Sequence, residues 1–230
     1  MPEIVPIWGR AASRARARLA SRGLAEVATL AARRAREALW SDDRLIVLVR
    51  AATGAAPETP GVVLRRATAA DAQRYARDIG TDSPATFRAR LTGRTTCWLI
   101  DSHDQILHAT WMTCDGAWTR EVRRCLRPPE GDAYVYESFT RAEARGRGLY
   151  PLALAGISAH AGAEGVTRMW VAVENANLAS LRAVTKAGFQ AAFEIVYQRR
   201  LGRLAVEQLP RAEAGSAPRL ELTARCPPAG

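Results

Sequence analysis

Lysine is nearly missing from this chain: Lys186 is the only one, although lysine and arginine together number 33 against 23 acidic residues. Set beside the abundant alanine, an almost all-arginine charge of +10 reflects codon composition before function, and a charge run is by default a solvated face. Long apolar runs are also absent. None approaches the roughly 20 residues of a membrane-spanning helix, and no secretory signal opens the chain. The expectation is a soluble, cytoplasmic protein. Nucleic acid and membrane are disfavoured as partners, because the arginines lack the interleaved aromatics or heptads that would make such binding specific. Cysteine is scarce: Cys97, Cys114, Cys125 and Cys226 stand far apart with no C-x-x-C pair. This excludes a zinc knuckle and makes reduced thiols the default. No His, Asp or Cys cluster has metal-ligand spacing, so no metal is expected.

What is present is a globular composition, 230 residues at 48% hydrophobic and 24% charged, enough for a real core. The most informative stretch runs from Ala133 to Ala161. Ala133 to Thr140 is aromatic and β-branched, as a buried strand should be. From Gly148 onward, Tyr150, Leu154, Ile157 and Ala161 recur at helical spacing. Between them lies the turn Arg145-Gly146-Arg147-Gly148-Leu149-Tyr150. Two glycines let the backbone bend closely, the first helical N–H groups point outward without partners, and two arginines add positive charge, which together make a seat for a pyrophosphate. Downstream, Met169 to Val173 reads as a short strand. Asn177 is suited to cap a helix over Leu178 to Lys186, with Gly188 ending it and Lys186 facing its negative terminus.

These two motifs resemble the GNAT superfamily of acyl-CoA-dependent N-acyltransferases. The first motif is matched by Arg145 and Gly148, with Tyr150 where the family has Gly or Ala; the second is matched by Asn177, Ser180 and the closing Gly188-Phe189. The resemblance implies an α/β (α+β) fold with a mixed central sheet flanked by helices. It also implies acetyl-CoA or another acyl-CoA as co-substrate. The strand residues Ser138, Phe139 and Thr140 would hold the pantetheine arm. The loop Arg145, Gly146, Arg147, Gly148, Leu149 and Tyr150 would hold the pyrophosphate, and Asn177 and Ser180 would line the arm.

Before these motifs, Ser13 to Trp40 is predicted helical, with eight arginines against three glutamates between Met1 and Trp40. Its weak apolar face, Leu24, Val27, Ala28, Ala31, Ala35 and Ala38, suits docking on the domain or on a second copy as a homodimer, and its charge suits an acidic partner such as acyl carrier protein. Leu45 to Val49 is a short strand, and Ala51 to Gly61 is the clearest linker. The expected organisation is a helical extension with a short strand over 1–56, the acyltransferase domain over 57–201, and a poorly ordered tail over 202–230 whose one weak strand is Leu220 to Thr223. Cys114 to Gly131 is a long polar insertion, either functional or a plain connection.

The resemblance implies transfer of an acyl group to an amine of a small molecule or peptide. An alkylamine of pKa about 10.4 is free base in roughly one molecule in two thousand at neutral pH, so a base is worth about 4.6 kcal/mol, whereas a thiolate of pKa about 8.5 leaves more easily. Glu137, a carboxylate in an otherwise apolar strand, is the candidate catalytic base, through desolvation that raises its pKa; the alternative is a structural pairing with an arginine. The family's frequent acid, a tyrosine, is matched here by Val184, so either the thiolate leaves unaided or another group such as Ser180, Tyr150 or Tyr136 serves. His108 is read as a packed strand histidine, with a place beside Glu137 as the alternative. Two rival functions are a non-catalytic acyl-CoA-binding module and a basic protein that binds anionic surfaces.

Overall fold

The computed structural model describes residues 40–55, 60–210 and 219–226; the predicted helix over Ser13 to Trp40 lies outside the described residues apart from Trp40. After β1 (Trp40–Ala51) and β2 (Val63–Arg66), a 3-10 turn (Ala69–Asp71) leads into α1 (Ala72–Asp78) and α2 (Pro84–Arg90). The hairpin β3 (Thr95–Ser102) and β4 (Gln105–Thr113) follows, then a small hairpin β5 (Ala117–Thr119) and β6 (Arg124–Arg127). The central pieces are β7 (Ala133–Thr140), α3 (Leu149–Ala163), β8 (Arg168–Glu174) and α4 (Leu178–Lys186), and the chain closes with β9 (Gln190–Arg200), β10 (Arg203–Pro210) and β11 (Glu221–Thr223).

Eight strands form one mixed sheet in the order β10-β9-β1-β8-β7-β4-β3-β2. Its neighbours are antiparallel where the register is defined, except β7 and β8, which run parallel. α3, whose intervening position makes it the crossover between them, packs Leu154, Ile157 and Ala161 against Ile100, Leu107, Val135 and Val171. On a second cluster Tyr75 and Phe87 of α1 and α2 meet Leu99, Ile106 and Trp111. β4 is therefore buried along all but its first residue, which is why its sequence alternates so little.

The starts of the helices follow their sequence signals. Ser83 caps α2 by accepting from the Thr86 amide at 3.1 Å, with Pro84 as the first helical residue. Asp71 takes two bonds from Arg65, at 2.6 and 2.9 Å, and one from the Thr68 amide at 2.8 Å; the Arg65 pairing holds its carboxyl down at about 2. Gly162 of α3 lies against the chain leaving β1, so close that a Cβ there would meet the Ala52 carbonyl oxygen at 1.8 Å.

Three expectations are corrected. β1 was set apart by the Pro- and Gly-rich linker, yet it lies inside the sheet, with Leu45 to Ala51 paired to Glu174 through Arg168; a long connection does not prevent a strand from returning to its sheet. The tail beyond Leu201 carries β10 and β11. The third concerns the cysteines, through the insertion, which is a hairpin that forms a second sheet with the tail, in the order β11-β6-β5. Thr223 pairs opposite Cys125, and this ladder brings Cys226 round to form a disulfide with Cys125 across a sequence separation of 101. The default of reduced thiols fails for this pair, because no local motif announces a partner that distant pairing supplies. Cys97 and Cys114 are free.

Among the described residues, 43–55, 60–197, 206–210 and 219–226 form one compact unit, and 198–205 group with 40–42. Within the latter, Arg200 holds Asp42 with two 2.7 Å bonds and lies 4.5 Å from the Trp40 ring centroid. Among the described residues no helix is long and apolar enough to cross a membrane.

Candidate functional site

The site begins where the parallel pair ends. β7 and β8 are registered only at Ala133 with Met169, Tyr134 with Trp170 and Val135 with Val171. Beyond them a cavity of about 210 Å³ opens, walled by Tyr136, Glu137 and Ser138 of β7 and by Ala172, Val173 and Glu174 of β8. The β5–β6 hairpin contributes Thr119 and Glu121 to the same cavity. β7 is also bulged here. Its pairing with β4 passes from Trp111 opposite Tyr136 to Ala109 opposite Phe139, and Glu137 takes a positive φ of 46°. An extra residue in one strand re-aims its side chains.

A groove of about 610 Å³ continues from this cavity. One wall is Ser138, Phe139 and Thr140, the next is Arg145, Gly146 and Gly148 with Leu149 and Tyr150, and the third is Asn177 and Ser180 of the second motif. Ten of the eleven coenzyme residues expected from sequence thus meet around one space. Arg147 does not join them: it lines a neighbouring hollow of about 400 Å³ with His103, Asp104 and Glu143.

The turn has the conformation its glycines permit. Gly146 and Gly148 both have φ above 70°, and nothing lies within 4 Å of where their Cβ atoms would be. Gly148 caps α3, whose third residue is Pro151, so one of the end's unpaired N–H groups is absent and those of Leu149 and Tyr150 remain. Tyr150, in place of a small residue, has its ring 5.6 Å from that of His108.

Across the groove, the Asn177 side chain accepts from the Ser180 amide at 3.1 Å and caps α4. At the other end of that helix, Arg50 of β1 donates to the Ala187 carbonyl at 2.5 Å, an interaction that favours the negative helix terminus. Lys186, which was expected to serve that terminus, lines the groove beside Arg182. Val184 is fully buried in the core and lines neither cavity.

Glu137 is not desolvated as its strand context suggested. Its side chain is 49% exposed and lies 2.7 Å from Arg90. Arg90 in turn reaches Asp82 at 2.5 Å and covers the Trp111 ring at 4.0 Å. The arginine pairing weighed as the alternative is thus present, while Glu137 still faces the cavity. Glu174, at the end of β8, is the residue the sequence reading missed. Burial, followed by the neighbouring Glu121 and Asp43, pushes its carboxyl up. A lone acid closing an apolar strand three residues before Asn177 was the available signal. His108 is not beside Glu137 in any hydrogen bond of the site; its partners are Thr140 and Thr110, both at 2.7 Å.

The mixed sheet, with β7 and β8 parallel and splitting beside the glycine turn, has the fold of solved N-acetyltransferase structures. The model of the acetyltransferase (GNAT) family matches residues 82–189. No curated protein sequence matches the chain. Among solved structures it is similar to a GCN5-related N-acetyltransferase from Sphaerobacter thermophilus, with 14% identity, a TM-score of 0.51, and coverage of 80% of this chain and 57% of that one. It is also similar to a GNAT-family acetyltransferase from Colwellia psychrerythraea, with 16% identity, a TM-score of 0.49, and coverage of 75% and 57%. The chain thus spans little more than half the length of either protein.

Proposed function

We propose that this protein transfers an acetyl or other short acyl group from acyl-CoA to an amine. The observation that carries the reading is the continuity of the two cavities, which share Ser138, Tyr150, Asn177 and Ser180. The larger one has the glycine turn at its wall and suits the pantetheine arm and pyrophosphate; the smaller one suits the thioester and the incoming nitrogen.

Glu121, Glu137 and Glu174 give the acceptor side negative charge in a protein whose net charge is +10. That favours an amine that arrives protonated, and a protonated amine needs a base. Of the two cavity carboxylates weighed for this role, Glu174 suits it better. Its carboxyl, though exposed at the strand end, is pushed up, the direction a general base requires, and among the described residues it has no arginine partner like Arg90, which occupies Glu137; Glu137 we assign to holding the bulge and the acceptor's charge.

The test is calorimetric titration of acetyl-CoA into the wild type and Arg145→Ala, followed by detection of free thiol release with a panel of cationic amines. Binding that falls about tenfold in the variant, or about 1.4 kcal/mol, together with amine-dependent thiol release, is the expected result. Binding without release for any amine would favour a coenzyme-binding module, a reading that the buried Val184 at the family's tyrosine position also supports. No binding by folded protein would exclude both.

A further inference from the structure

The β5–β6 hairpin of the insertion is firmly held. Ala117, Trp118 and Thr119 pair with Leu126, Cys125 and Arg124, Cys125 and Leu126 are fully buried, and the Cys125–Cys226 bond ties β6 to the tail. Gly116, at the entry, lies so close to β6 that a Cβ there would meet the Leu126 carbonyl oxygen at 2.7 Å. The turn between the two strands buries Val122 completely. The residue before it, the half-buried Glu121, is thereby set in the wall of the acceptor cavity together with Glu137 and Glu174.

The walls of that cavity are of two kinds. Three carboxylates come from three separate places, the hairpin turn, the β7 bulge and the end of β8, while Leu45, Val135, Val171 and Val173 supply apolar surface. Among the described residues no lysine, arginine or histidine lines it; Arg90 meets Glu137 and Asp82 without being part of the walls. An acceptor that carried a carboxylate or phosphate would enter against like charge with no cation to receive it. A single amine, by contrast, uses only one carboxylate, the base that takes its proton. The space, about 210 Å³, is that of roughly seven waters at about 30 Å³ each, which suits a short aliphatic chain.

We propose that the insertion hairpin selects the acceptor: Glu121 binds a second ammonium group, so that the protein acylates one end of an aliphatic diamine or polyamine. The proposal rests on the acyl-CoA reading above and gives its amine a substrate class. The apolar walls take the methylenes. One nitrogen reaches the junction of the two cavities, loses its proton to the carboxylate base and becomes the amide, while the other stays charged on Glu121. A site built around a charged group discriminates strongly against an analogue that lacks it, because a charge-assisted hydrogen bond is then lost. Glu121 has one other role to be separated from this, tuning of the base, since its like charge adds to burial in pushing the Glu174 carboxyl up. Tuning acts on every amine alike, whereas selection shows only when the acceptor has a second charge.

The experiment compares matched acceptors. Free thiol release from saturating acetyl-CoA is followed with butylamine, putrescine and γ-aminobutyrate, which share one chain length, and then with their longer homologues, in wild type and Glu121→Gln. In wild type, kcat/KM for the diamine should exceed that for the matched monoamine by at least about tenfold at one chain length or more, well above the doubling that two equivalent ends allow, and the amino acid should fall below the monoamine. In Glu121→Gln the diamine's advantage should shrink to that doubling, whatever becomes of the absolute rates. Equal diamine and monoamine rates at every length, a preference for the amino acid, or turnover confined to other kinds of amine would overturn the proposal and leave the acyl-CoA reading standing, since thiol is still released. A diamine advantage unchanged in Glu121→Gln would overturn the role of Glu121, and a loss shared equally by both amines would assign it to tuning instead. No thiol release with any amine would overturn reading and proposal together. If Glu121→Gln does not fold, the wild-type ratio is read as ionic strength is raised: the diamine's advantage should fall with screening, and an advantage indifferent to salt overturns the proposal equally.

Discussion

Arg90 of α2 closes on Glu137 of β7 at 2.7 Å, at the point where β7 bulges with a positive φ. Under the proposed function, the pairing separates two carboxylates of one cavity into different roles. Glu137→Gln should lower kcat/KM by about tenfold, mainly through KM for a cationic acceptor, whereas Glu174→Gln should lower kcat by about a hundredfold, within the usual worth of a general base. Steady-state kinetics with acceptor and acetyl-CoA varied separately would check this. The pH sign is definite. With Glu174 as the proposed base, the active form is its carboxylate and its pKa is raised, so activity falls as pH drops through a midpoint above the ordinary glutamate value of about 4.3. Glu174→Gln should remove that limb.

His108 gives an acid-stability prediction. The folded ring stays neutral down to about 3, while the unfolded ring takes a proton near 6.5. Between these values the unfolded state binds more protons, so stability falls as pH decreases, by up to about 1.4 kcal/mol per unit. Denaturant unfolding from pH 7 to pH 4 should show this slope, and His108→Gln should flatten it.

Gly162→Ala should be among the most damaging small substitutions in the molecule. The added methyl would meet the Ala52 carbonyl oxygen at 1.8 Å, and relieving it requires α3 and the end of β1 to part, at a cost of about 3 kcal/mol. Gly165→Ala is the control. Its φ is 88° with nothing within 4 Å, so only backbone strain of about 1 kcal/mol applies. Thermal melts of the two variants should separate clearly.

The Cys125–Cys226 bond closes a loop across 101 residues, worth about 4.7 kcal/mol in the chain-entropy account. Reduction, or Cys226→Ser, should lower the melting temperature. Because β6 is paired to β5, and Thr119 and Glu121 of this hairpin wall the acceptor cavity, the same change should raise KM for the acceptor and leave acetyl-CoA affinity within about twofold. Calorimetry beside kinetics, with and without dithiothreitol, separates the two.

The parts of the molecule legible in sequence are those specified by neighbours along the chain. Ala133 to Thr140, the glycine turn and the α3 stripe carry their periods locally, and Asn177 and Gly188 mark both ends of α4. What was hidden depends on residues brought together from afar. The place of β1 is set by its partner β8, the α4 terminus is served by Arg50, and the raised pKa of Glu174 arises from burial, then from Glu121 and Asp43. Glu137 was misjudged for a related reason. Its strand is apolar, but a bulge without glycine turns that one side chain toward Arg90, and neither the bulge nor the arginine is visible in a period-two pattern.

The position of β1 also sets a timetable for synthesis. Leu45 faces Glu174, a partner the ribosome adds about 130 residues later, which at roughly 5–20 residues per second is on the order of 6–25 s. For that interval Leu45 to Val49, the most apolar strand near the start of the chain, has no β8 to pair with. The nascent protein therefore presents a sticky strand to chaperones or to other chains before its sheet can close, and slowing translation between β1 and β8 should raise aggregation without changing the stability of the finished molecule.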